Sequence, residues 1–552
     1  MSNPASQPVQ QNQQTNNAKY VSIIPENGTS FVEGQKIIYN LDPSLGWIKG
    51  RDSYLVFDIE STGTVPIKLC LRKGGISSVI KQVNIFSKHN GMLLETLDNY
   101  NQWTSAEMEY TNDDATNISN IEGAKPYQQP WRGNQPHINN VNLITNYKNS
   151  FHEPVLHKLS GHTTGLADMR TAVRYCCPLR SGIFRHWDTE KLVPILQLGG
   201  LRIELVLAPS LEVLDMPWTG SDIFNGGHLM PSIGDASDVP TPVKLENATT
   251  GQPVVDISNI MDISQCGLFV GQGVSVKWTN GGAQALATTI ASIAQNGAGG
   301  RVRLTLADNL TSAIIGSTGK IHIVDTDISL DNIKYRIVGS EFRLLQEQPP
   351  NDKMANMDYV FTSYDLFRDT IPSTQTNFNQ DITSVASKAV SLFTMYESPA
   401  HDAVLQFPLQ NYYDGQSPSG EGVNLNSVVY FINNKLYPLR AYNPGKYGDR
   451  VICLNELVKA FKTLNVSPNC LGSSEYADLG EYTNRFLHAR ELARGQSVFN
   501  LQNSEPQIRL GFSGARANNV WGQAVGNLKM STFVFSKKIL HIDGETGLTL
   551  EH

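Results

Sequence analysis

Residues that could do chemistry occur in four short motifs. The first two resemble a zinc site and a phosphate-binding loop, and both depart from the pattern that this chemistry requires. His152 and His157 lie five positions apart, whereas zinc-binding histidines on one helix face lie four apart, and Pro154 opposes a helix interior. The segment from Gly316 to Ile321 contains Gly-Lys but ends on isoleucine, where a phosphate-binding loop needs Ser or Thr for magnesium. Neither zinc nor nucleotide binding is therefore expected.

Two further motifs resemble calcium and nucleophile sites. The run from Asp325 to Asp331 alternates acidic side chains with others, as calcium loops do. However, Leu330 stands where the loop needs glycine, and Arg336 stands where it needs a bidentate glutamate. The Gly-Phe-Ser-Gly run beginning at Gly511 lacks the spacing of a nucleophile elbow. The sequence thus predicts no catalytic residue, metal ligand or cofactor site, and the chain is not expected to be an enzyme.

Composition and cysteine usage limit the class of protein. The 552 residues carry a formal net charge of -7 without a basic tail or stripe, so direct, sequence-specific nucleic-acid binding is not expected. The start of the chain lacks the features of a signal peptide, and no apolar run reaches the roughly 20 residues of a membrane span. The cysteines have no ligand spacing and are expected to be reduced, mostly buried thiols of a chain made inside a cell: Cys70, Cys176, Cys177, Cys266, Cys453 and Cys470.

The elements that would position any such side chains are mostly strands. Val79, Val83 and Ile85 share one face at period two, and Asn90-Gly91 is a tight-turn dipeptide before a second apolar run from Met92 to Leu97. This pattern predicts a hairpin. The same period predicts a second hairpin over 54–71 and a half-buried strand at Leu201–Leu207, whereas the polar segment 104–147 is expected to be a long loop.

A further set of alternating residues lies between about 252 and 327. Val274, Val276 and Trp278 alternate, and Val302, Leu304 and Leu306 do so again after a glycine-rich turn. These short strands predict a small β-barrel or sandwich inserted in an exposed loop of the first domain. Host-cell attachment, intersubunit contact and simple padding remain open as its role.

The second half of the chain repeats the same order of strands and turns. A proline-bearing polar linker at Gln346–Asp352 precedes alternating runs at 390–394, 428–438, 508–512 and 528–542. Leu454, Leu457, Val458 and Phe461 recur at helical spacing, and a weaker helix is predicted over Glu481–Arg494. The two halves therefore predict two similar β-sandwiches in tandem.

Several of these stretches, taken in order, resemble the double jelly-roll major capsid proteins of virophages, polintons and polinton-like viruses. The resemblance depends on the order of the stretches and on the total length, and the segment from Thr250 to Asp327 is additional to the common pattern. The stretches that carry it are Gly74–Trp103, Lys191–Ala208, Phe431–Pro438, Leu454–Leu464, Gly495–Leu501 and Leu528–Asp543.

The resemblance implies an all-β fold with minor helices, made of two tandem eight-stranded jelly rolls. The expected division is a flexible arm over 1–19, a first jelly roll over 20–347 with the inserted β-rich module at about 252–327, a linker over 348–357, and a second jelly roll over 358–552.

The resemblance also implies homotrimers that act as pseudo-hexameric capsomers of an icosahedral shell around double-stranded DNA. Neighbouring capsomers, a penton protein and minor capsid proteins would be the partners. The chain would be part of the virion and would be made and assembled inside the host cell. Whether a membrane lies inside the shell does not follow from the sequence.

Two other classes of protein remain as alternatives. A β-sandwich that binds carbohydrate or adheres to a host, such as a spike or fibre, would need exposed aromatic platforms or paired carboxylates in one loop set, and none is recognised in the sequence. A hydrolase with a β-sandwich core is the weaker alternative, because no complete acid–base or metal constellation is found.

Overall fold

A computed structural model describes most of the β-rich parts of the chain. Most of the predicted N-terminal arm, the motif at His152–His157 and the run from Asp325 to Asp331 lie outside the described residues. The structure describes residues 18–62, 70–71, 74–111, 121–122, 172–188, 192–215, 244–257, 273–281, 283–294, 297, 301–315, 319–323, 334–347, 356–384, 386–397, 425–432, 435–443, 447–466, 487–493, 499–502, 504, 506–512, 527–543 and 547–552.

Strands dominate the described residues. The first part contains β1 (Lys19–Ile23), β2 (Phe31–Val32), β3 (Lys36–Leu41), β4 (Trp47–Ser61), β5 (Cys70–Leu71), β6 (Ile80–Ser87), β7 (Leu93–Asp98), α1 (Tyr100–Thr111), β8 (Val173–Pro178), β9 (Val193–Pro194) and β10 (Leu201–Leu207). Next come α2 (Ser210–Val213), β11 (Leu214–Asp215), β12 (Lys244–Leu245), β13 (Val254–Asp256), β14 (Gly273–Thr279), β15 (Ala283–Ala294), β16 (Arg303–Leu306), β17 (Gly319–Ile323) and β18 (Tyr335–Glu347). The last part contains β19 (Asn356–Ile371), β20 (Asn377–Asp381), β21 (Ala389–Glu397), β22 (Leu425–Ile432), β23 (Lys435–Tyr442), α3 (Tyr447–Lys462), β24 (His488–Glu491), β25 (Gln507–Phe512), β26 (Leu528–Asp543) and β27 (Gly547–Glu551).

The alternating apolar residues point into the sandwich, as their spacing predicts. Leu201, Ile203 and Leu205 of β10 are fully buried, and so are Val83 and Ile85 of the neighbouring strand β6. Successive side chains of a strand point to opposite faces, so one face of each strand supplies the core. The hairpin predicted around Asn90-Gly91 is confirmed, since β6 and β7 pair antiparallel.

The first part of the chain folds into two antiparallel sheets with four main strands each. One sheet has the order β1-β18-β4-β8 and the other has the order β3-β10-β6-β7, while the short strands β2 and β9 pair with β18 and β4. Numbered from one to eight along the chain, the main strands follow the orders 1-8-3-6 and 2-7-4-5. This is the jelly-roll arrangement, which contains two Greek keys.

The second part of the chain repeats this topology. Its sheets have the orders β19-β26-β21-β24 and β20-β25-β22-β23, with β27 added beside β26. Numbered along the chain, these strands again follow 1-8-3-6 and 2-7-4-5. The chain is therefore an all-β protein with minor helices, built from a first and a second jelly roll in tandem, and this prediction is confirmed.

A small β-barrel is inserted between β10 and β18 of the first jelly roll. Its strands have the order β12-β17-β14-β15-β16-β13, and an antiparallel bridge between Leu245 and Ile257 joins the two ends of the sheet. The barrel has a core of its own, so the predicted β-rich insertion is confirmed. Its buried residues are Leu245, Val255, Ile257, Val274, Val276, Trp278, Ile290, Val302, Leu304, Leu306, Leu310 and Ile314.

Three local predictions are wrong. The strand at 54–59 does not form a hairpin with the segment after it, because β4 pairs with β18 and β8 whereas β5 pairs with β11. Part of the predicted loop over 104–147 is the helix α1. The predicted helix over 481–494 contains the strand β24 instead. In each case a partner far away in sequence decides the structure, and tertiary contacts override local propensity.

His488 connects the two sheets of the second jelly roll. Its buried imidazole lies between the hydroxyl of Tyr396 on β21, 2.7 Å from Nε2, and the hydroxyl of Tyr430 on β22, 2.6 Å from Nδ1. A neutral imidazole donates from one nitrogen and accepts at the other, so both tyrosines are satisfied without a charge. Burial lowers the pKa of His488 to about 3.

We expect this histidine to make the fold less stable in acid. The unfolded imidazole titrates near pH 6.5, whereas the folded one stays neutral down to about pH 3. The unfolded state therefore binds the additional proton between these values, and the free energy of unfolding falls as the pH decreases from about 6.5 towards 3. By about pH 5 the loss from this one group is about 2 kcal/mol.

Urea unfolding of the wild type and of His488→Gln at about pH 7.5 and about pH 5 measures this loss. Glutamine keeps polar atoms between the tyrosines but does not titrate. The wild type should lose about 2 kcal/mol more than the variant does. Equal acid losses in the two proteins would show that His488 is not the group responsible.

Candidate functional site at the junction between the jelly rolls

The two jelly rolls meet where edge strands of their sheets pack together. β7 is the terminal strand of the sheet β3-β10-β6-β7, and β19 is the terminal strand of the sheet β19-β26-β21-β24. We call this contact the junction. It is formed by β7, α1 and the segment 179–188 of the first jelly roll, and by β19, β21, β26 and α3 of the second.

Side chains of the first jelly roll cover the free edge of β19. Asp188 accepts hydrogen bonds from the backbone N–H and the hydroxyl of Thr362, at 2.8 and 2.9 Å. Arg185 donates to the carbonyl of Val360 at 2.6 Å, and its guanidinium lies 4.0 Å from the ring centroid of Tyr359. An uncovered strand edge is a template for pairing with another chain. At Val360 and Thr362 of β19 that edge is closed within the molecule.

Glu95 of β7 binds both jelly rolls at once. Its carboxylate accepts hydrogen bonds from the hydroxyl of Ser181, the N–H of Gly182 at 2.9 Å and the N–H of Ile183 at 3.1 Å. The hydroxyl of Ser363 on β19 donates the fourth, at 2.6 Å. Burial raises the pKa of Glu95, while the donated hydrogen bonds oppose that rise.

The Glu95 carboxylate gives a direct test of the junction. In Glu95→Gln a side-chain NH2 replaces one of the two carboxylate oxygens. Each oxygen accepts a backbone N–H, from Gly182 or from Ile183, so the NH2 would face another donor in either orientation. We expect the free energy of unfolding to fall by about 1–3 kcal/mol. Asp42→Asn, which removes an exposed partner of Lys88, is the control and should have a much smaller effect. Similar losses in the two variants would contradict a special role for Glu95.

Trp103 of α1 is the centre of an aromatic cluster in the junction. Thr532 donates to Gln380 on the opposite sheet, so Thr532 lies on the inner face of β26, and Phe533 and Phe535 lie on its outer face. The buried Trp103 ring lies 4.6 Å from Phe535 and 5.4 Å from Phe533, measured between centroids. The outer face of β26 is thus covered by a helix of the first jelly roll.

A second buried carboxylate holds α1 to the segment after β8. Glu107 accepts hydrogen bonds from the indole N–H groups of Trp103 and Trp187, at 2.8 and 3.1 Å, and lies 2.7 Å from Nε2 of His186. Burial alone would raise the pKa of Glu107, but His186 and the charge of Arg180 hold it below its ordinary value. These hydrogen bonds fix α1 against the segment after β8, so the first jelly roll presents a fixed surface to the second.

The residues singled out as possible chemical sites do not gather at the junction. Gly511 lies in β25, and the last residues of the phosphate-loop motif lie in β17. Cys177 and Cys453 are buried and Cys176 is half-buried, and none of the three forms a disulfide. Burial raises the pKa of Cys177 to about 12. Within the described segments, no cluster of His, Cys, Asp or Glu could hold a metal ion, and no helix is long and apolar enough to cross a membrane.

Sequence reasoning missed most of the junction. The strand pattern from Met92 to Leu97 includes Glu95 without assigning it a role, and no motif identifies Glu107, Arg185 or Asp188. Two signals were present: an acidic residue inside an otherwise apolar strand pattern, and the continuous apolar run Phe533-Val534-Phe535, which is typical of a strand buried on both faces.

Comparisons with known proteins give similarities of overall structure. No protein-family model matches the chain, and no curated protein does. A solved structure of PBCV-1 VP54, fitted into a reconstruction of the virophage Sputnik, is 10% identical over 98% of both chains, with a TM-score of 0.47. A chain of the Sputnik virophage structure is 12% identical and covers 100% of this chain and 91% of that chain, with a TM-score of 0.46. The Faustovirus major capsid protein is 9% identical over 95% and 90%, with a TM-score of 0.46. The assignment of the fold therefore rests on the strand order described above.

Proposed function

We propose that this chain is a structural major capsid protein whose function resides in its interfaces and not in a reactive site. One observation carries the proposal: two jelly rolls of identical strand order are fused in one chain and joined by a buried junction. Such a chain presents two jelly rolls of the same topology to neighbouring chains. The resemblance of the sequence to double jelly-roll capsid proteins supports the same conclusion.

In this proposal three chains form a homotrimer whose six jelly rolls make a pseudo-hexameric capsomer. The capsomers build an icosahedral shell around a double-stranded DNA genome, with penton and minor capsid proteins as further partners. The protein belongs to the virion and is assembled inside the host cell. The identical topology of the two rolls supports a pseudo-sixfold capsomer, because the first and second rolls of three chains can occupy six similar positions in a ring.

We also propose a division of the chain into domains. An arm over about 1–19 precedes the first jelly roll, which extends to 347, and a linker over 348–357 leads to the second, over 358–552. β12 pairs with β17 of the inserted barrel, and this pairing supports a start of that module near 244 instead of the 252 expected from the sequence. The barrel's separate core supports its treatment as an added unit.

The mass and outline of the purified full-length chain test the proposal. Light scattering and negative-stain microscopy should show trimers of hexagonal outline, or shells. A monodisperse monomer over a wide range of concentration would overturn the capsid assignment and favour a carbohydrate-binding or host-adhesion protein instead.

A further inference from the structure

The third strand of the second jelly roll is built from two separate pieces of the chain. β21 pairs with β26 from Glu397 back to Ala389, which lies next to Ser536. Beyond that point β27 takes over, and residues 547–551 lie opposite residues 543–539 of β26. Both pieces run antiparallel to β26 on the side away from β19, so β27 and β21 lie along one line in the same direction.

The first jelly roll makes the same part of its sheet from one continuous strand. Its third main strand, β4, begins at Trp47, and Trp47 already pairs with Glu347 at the end of β18. In the second roll β21 begins too late to reach the equivalent end of β26. Without β27 the backbone groups of β26 at 539–543 would therefore form an open edge. Such an edge accepts an extended segment through main-chain hydrogen bonds.

Backbone pairing and two leucines hold β27 on this edge. Five residues of β27 pair with β26. Leu548 belongs to the core of the rolls, and Leu550, two positions later on the same face, packs against that core. In the described part of the chain β27 pairs with no strand other than β26. These contacts are noncovalent, so a separate peptide of the same pattern can make all of them.

Polar groups just before β21 fix the register of β27. Lys388 forms an ion pair with Glu551, and Nε2 of His541 lies 3.4 Å from the Glu551 carboxylate. The N–H and the hydroxyl of Ser387 both donate to the carbonyl of His552, at 3.2 and 2.5 Å. A slip by one residue would turn the two leucines of β27 away from the core and separate these pairs. The edge therefore selects one sequence pattern in one register.

We propose that residues 537–543 of β26, together with Ser387 and Lys388, form a binding site for an extended peptide, and that β27 occupies this site within the chain. We call it the strand-acceptor site. Its ligand is a strand with apolar side chains at alternating positions, directly followed by an acidic side chain that meets Lys388. Residues 544–546 connect β26 to β27 and keep this ligand at a high local concentration. The inference goes beyond the capsid function, because it assigns a peptide-binding site to the second roll.

A full-length chain that can be cut after folding tests the proposal. A protease recognition sequence replaces residues 544–546, and the folded protein is then cut and diluted. A labelled peptide with the sequence of residues 547–552 is added, and fluorescence anisotropy measures its binding. We expect saturable binding to the cut chain. The uncut chain should bind no peptide, because its own strand fills the site.

Variants of the peptide and of the chain identify the site. A peptide with Leu548→Ser and Leu550→Ser should bind at least about ten-fold more weakly, because it loses the apolar contacts with the core. Glu551→Lys in the peptide should weaken binding by about three-fold, and Lys388→Glu in the cut chain should restore it. A chain shortened to end at Asp543 should bind the original peptide without a cut, which provides a second route if the inserted sequence disturbs folding.

Two results would overturn the inference. Equal binding of the peptide by the cut and the uncut chain would show that the peptide binds elsewhere. A folded, cut chain that takes up no peptide at any concentration would show that β27 is an integral strand and that its place is not a binding site. Neither result bears on the capsid function, which the mass and outline of the uncut wild type test separately.

Discussion

Replacing Trp103 by Ala is expected to lower the free energy of unfolding of the two jelly rolls by about 4 kcal/mol. The ring is fully buried, and its centroid lies 4.6 Å from that of Phe535 and 4.9 Å from that of Phe393, both on the second roll. The substitution therefore leaves a cavity between the domains and also removes a donor from Glu107. Guanidinium unfolding followed by far-UV circular dichroism measures the loss.

Two matched variants identify the source of this effect. Trp103→Phe keeps an aromatic ring but loses the hydrogen bond to Glu107, so it should cost only about 1–2 kcal/mol. Trp278→Ala empties the separate core of the inserted barrel and should leave the main transition of the jelly rolls unchanged. A loss below about 1 kcal/mol for Trp103→Ala would mean that the two rolls do not depend on this cluster.

Replacing Gly182 by Ala is expected to cost about 3 kcal/mol through steric overlap. A Cβ at this position would lie 2.1 Å from the carbonyl oxygen of Thr362, 2.8 Å from Cδ2 of Phe361 and 2.9 Å from Oε1 of Glu95. Two of these atoms belong to the second jelly roll, so the added methyl group pushes the rolls apart. Unfolding should then separate into two transitions, because the rolls lose their mutual support.

Gly91→Ala is the control for this substitution. Gly91 has a φ of +70° and no neighbour within 4 Å of the added Cβ, so its cost is backbone strain of about 1–2 kcal/mol without a clash. The control should keep a single transition. If Gly182→Ala also unfolded in one transition with a loss no larger than that of Gly91→Ala, the close approach of the rolls at this point would be contradicted.

Much of the fold follows from the sequence because strands that are buried on one face leave a period of two. The alternating residues of β10, the Asn90-Gly91 turn and the helical spacing around Leu454 all predict what is observed. The resemblance to double jelly-roll proteins supplied the order in which these strands pair. Local patterns alone cannot supply it, because a jelly roll pairs strands that are far apart in the chain.

The contribution of α1 to the junction could not be predicted because this helix has no amphipathic pattern. α1 reads as a polar loop, yet Asn101, Gln102, Thr104, Ser105 and Glu107 are all buried. A helix that packs on several sides at once needs no single apolar stripe, provided that tertiary partners satisfy its polar groups. Asn101 and Glu107 find such partners far away in the sequence, at Glu212, His186 and Trp187. Thr104 and Ser105 instead donate to the carbonyl of Asn101 in the same helix.

The most direct test of the central claim is a reconstruction by electron cryomicroscopy of the assembled wild-type chain. We expect six eight-stranded sandwiches in a ring, with three internal junctions built around Trp103. An assembly without a ring of paired sandwiches would contradict the capsid assignment itself.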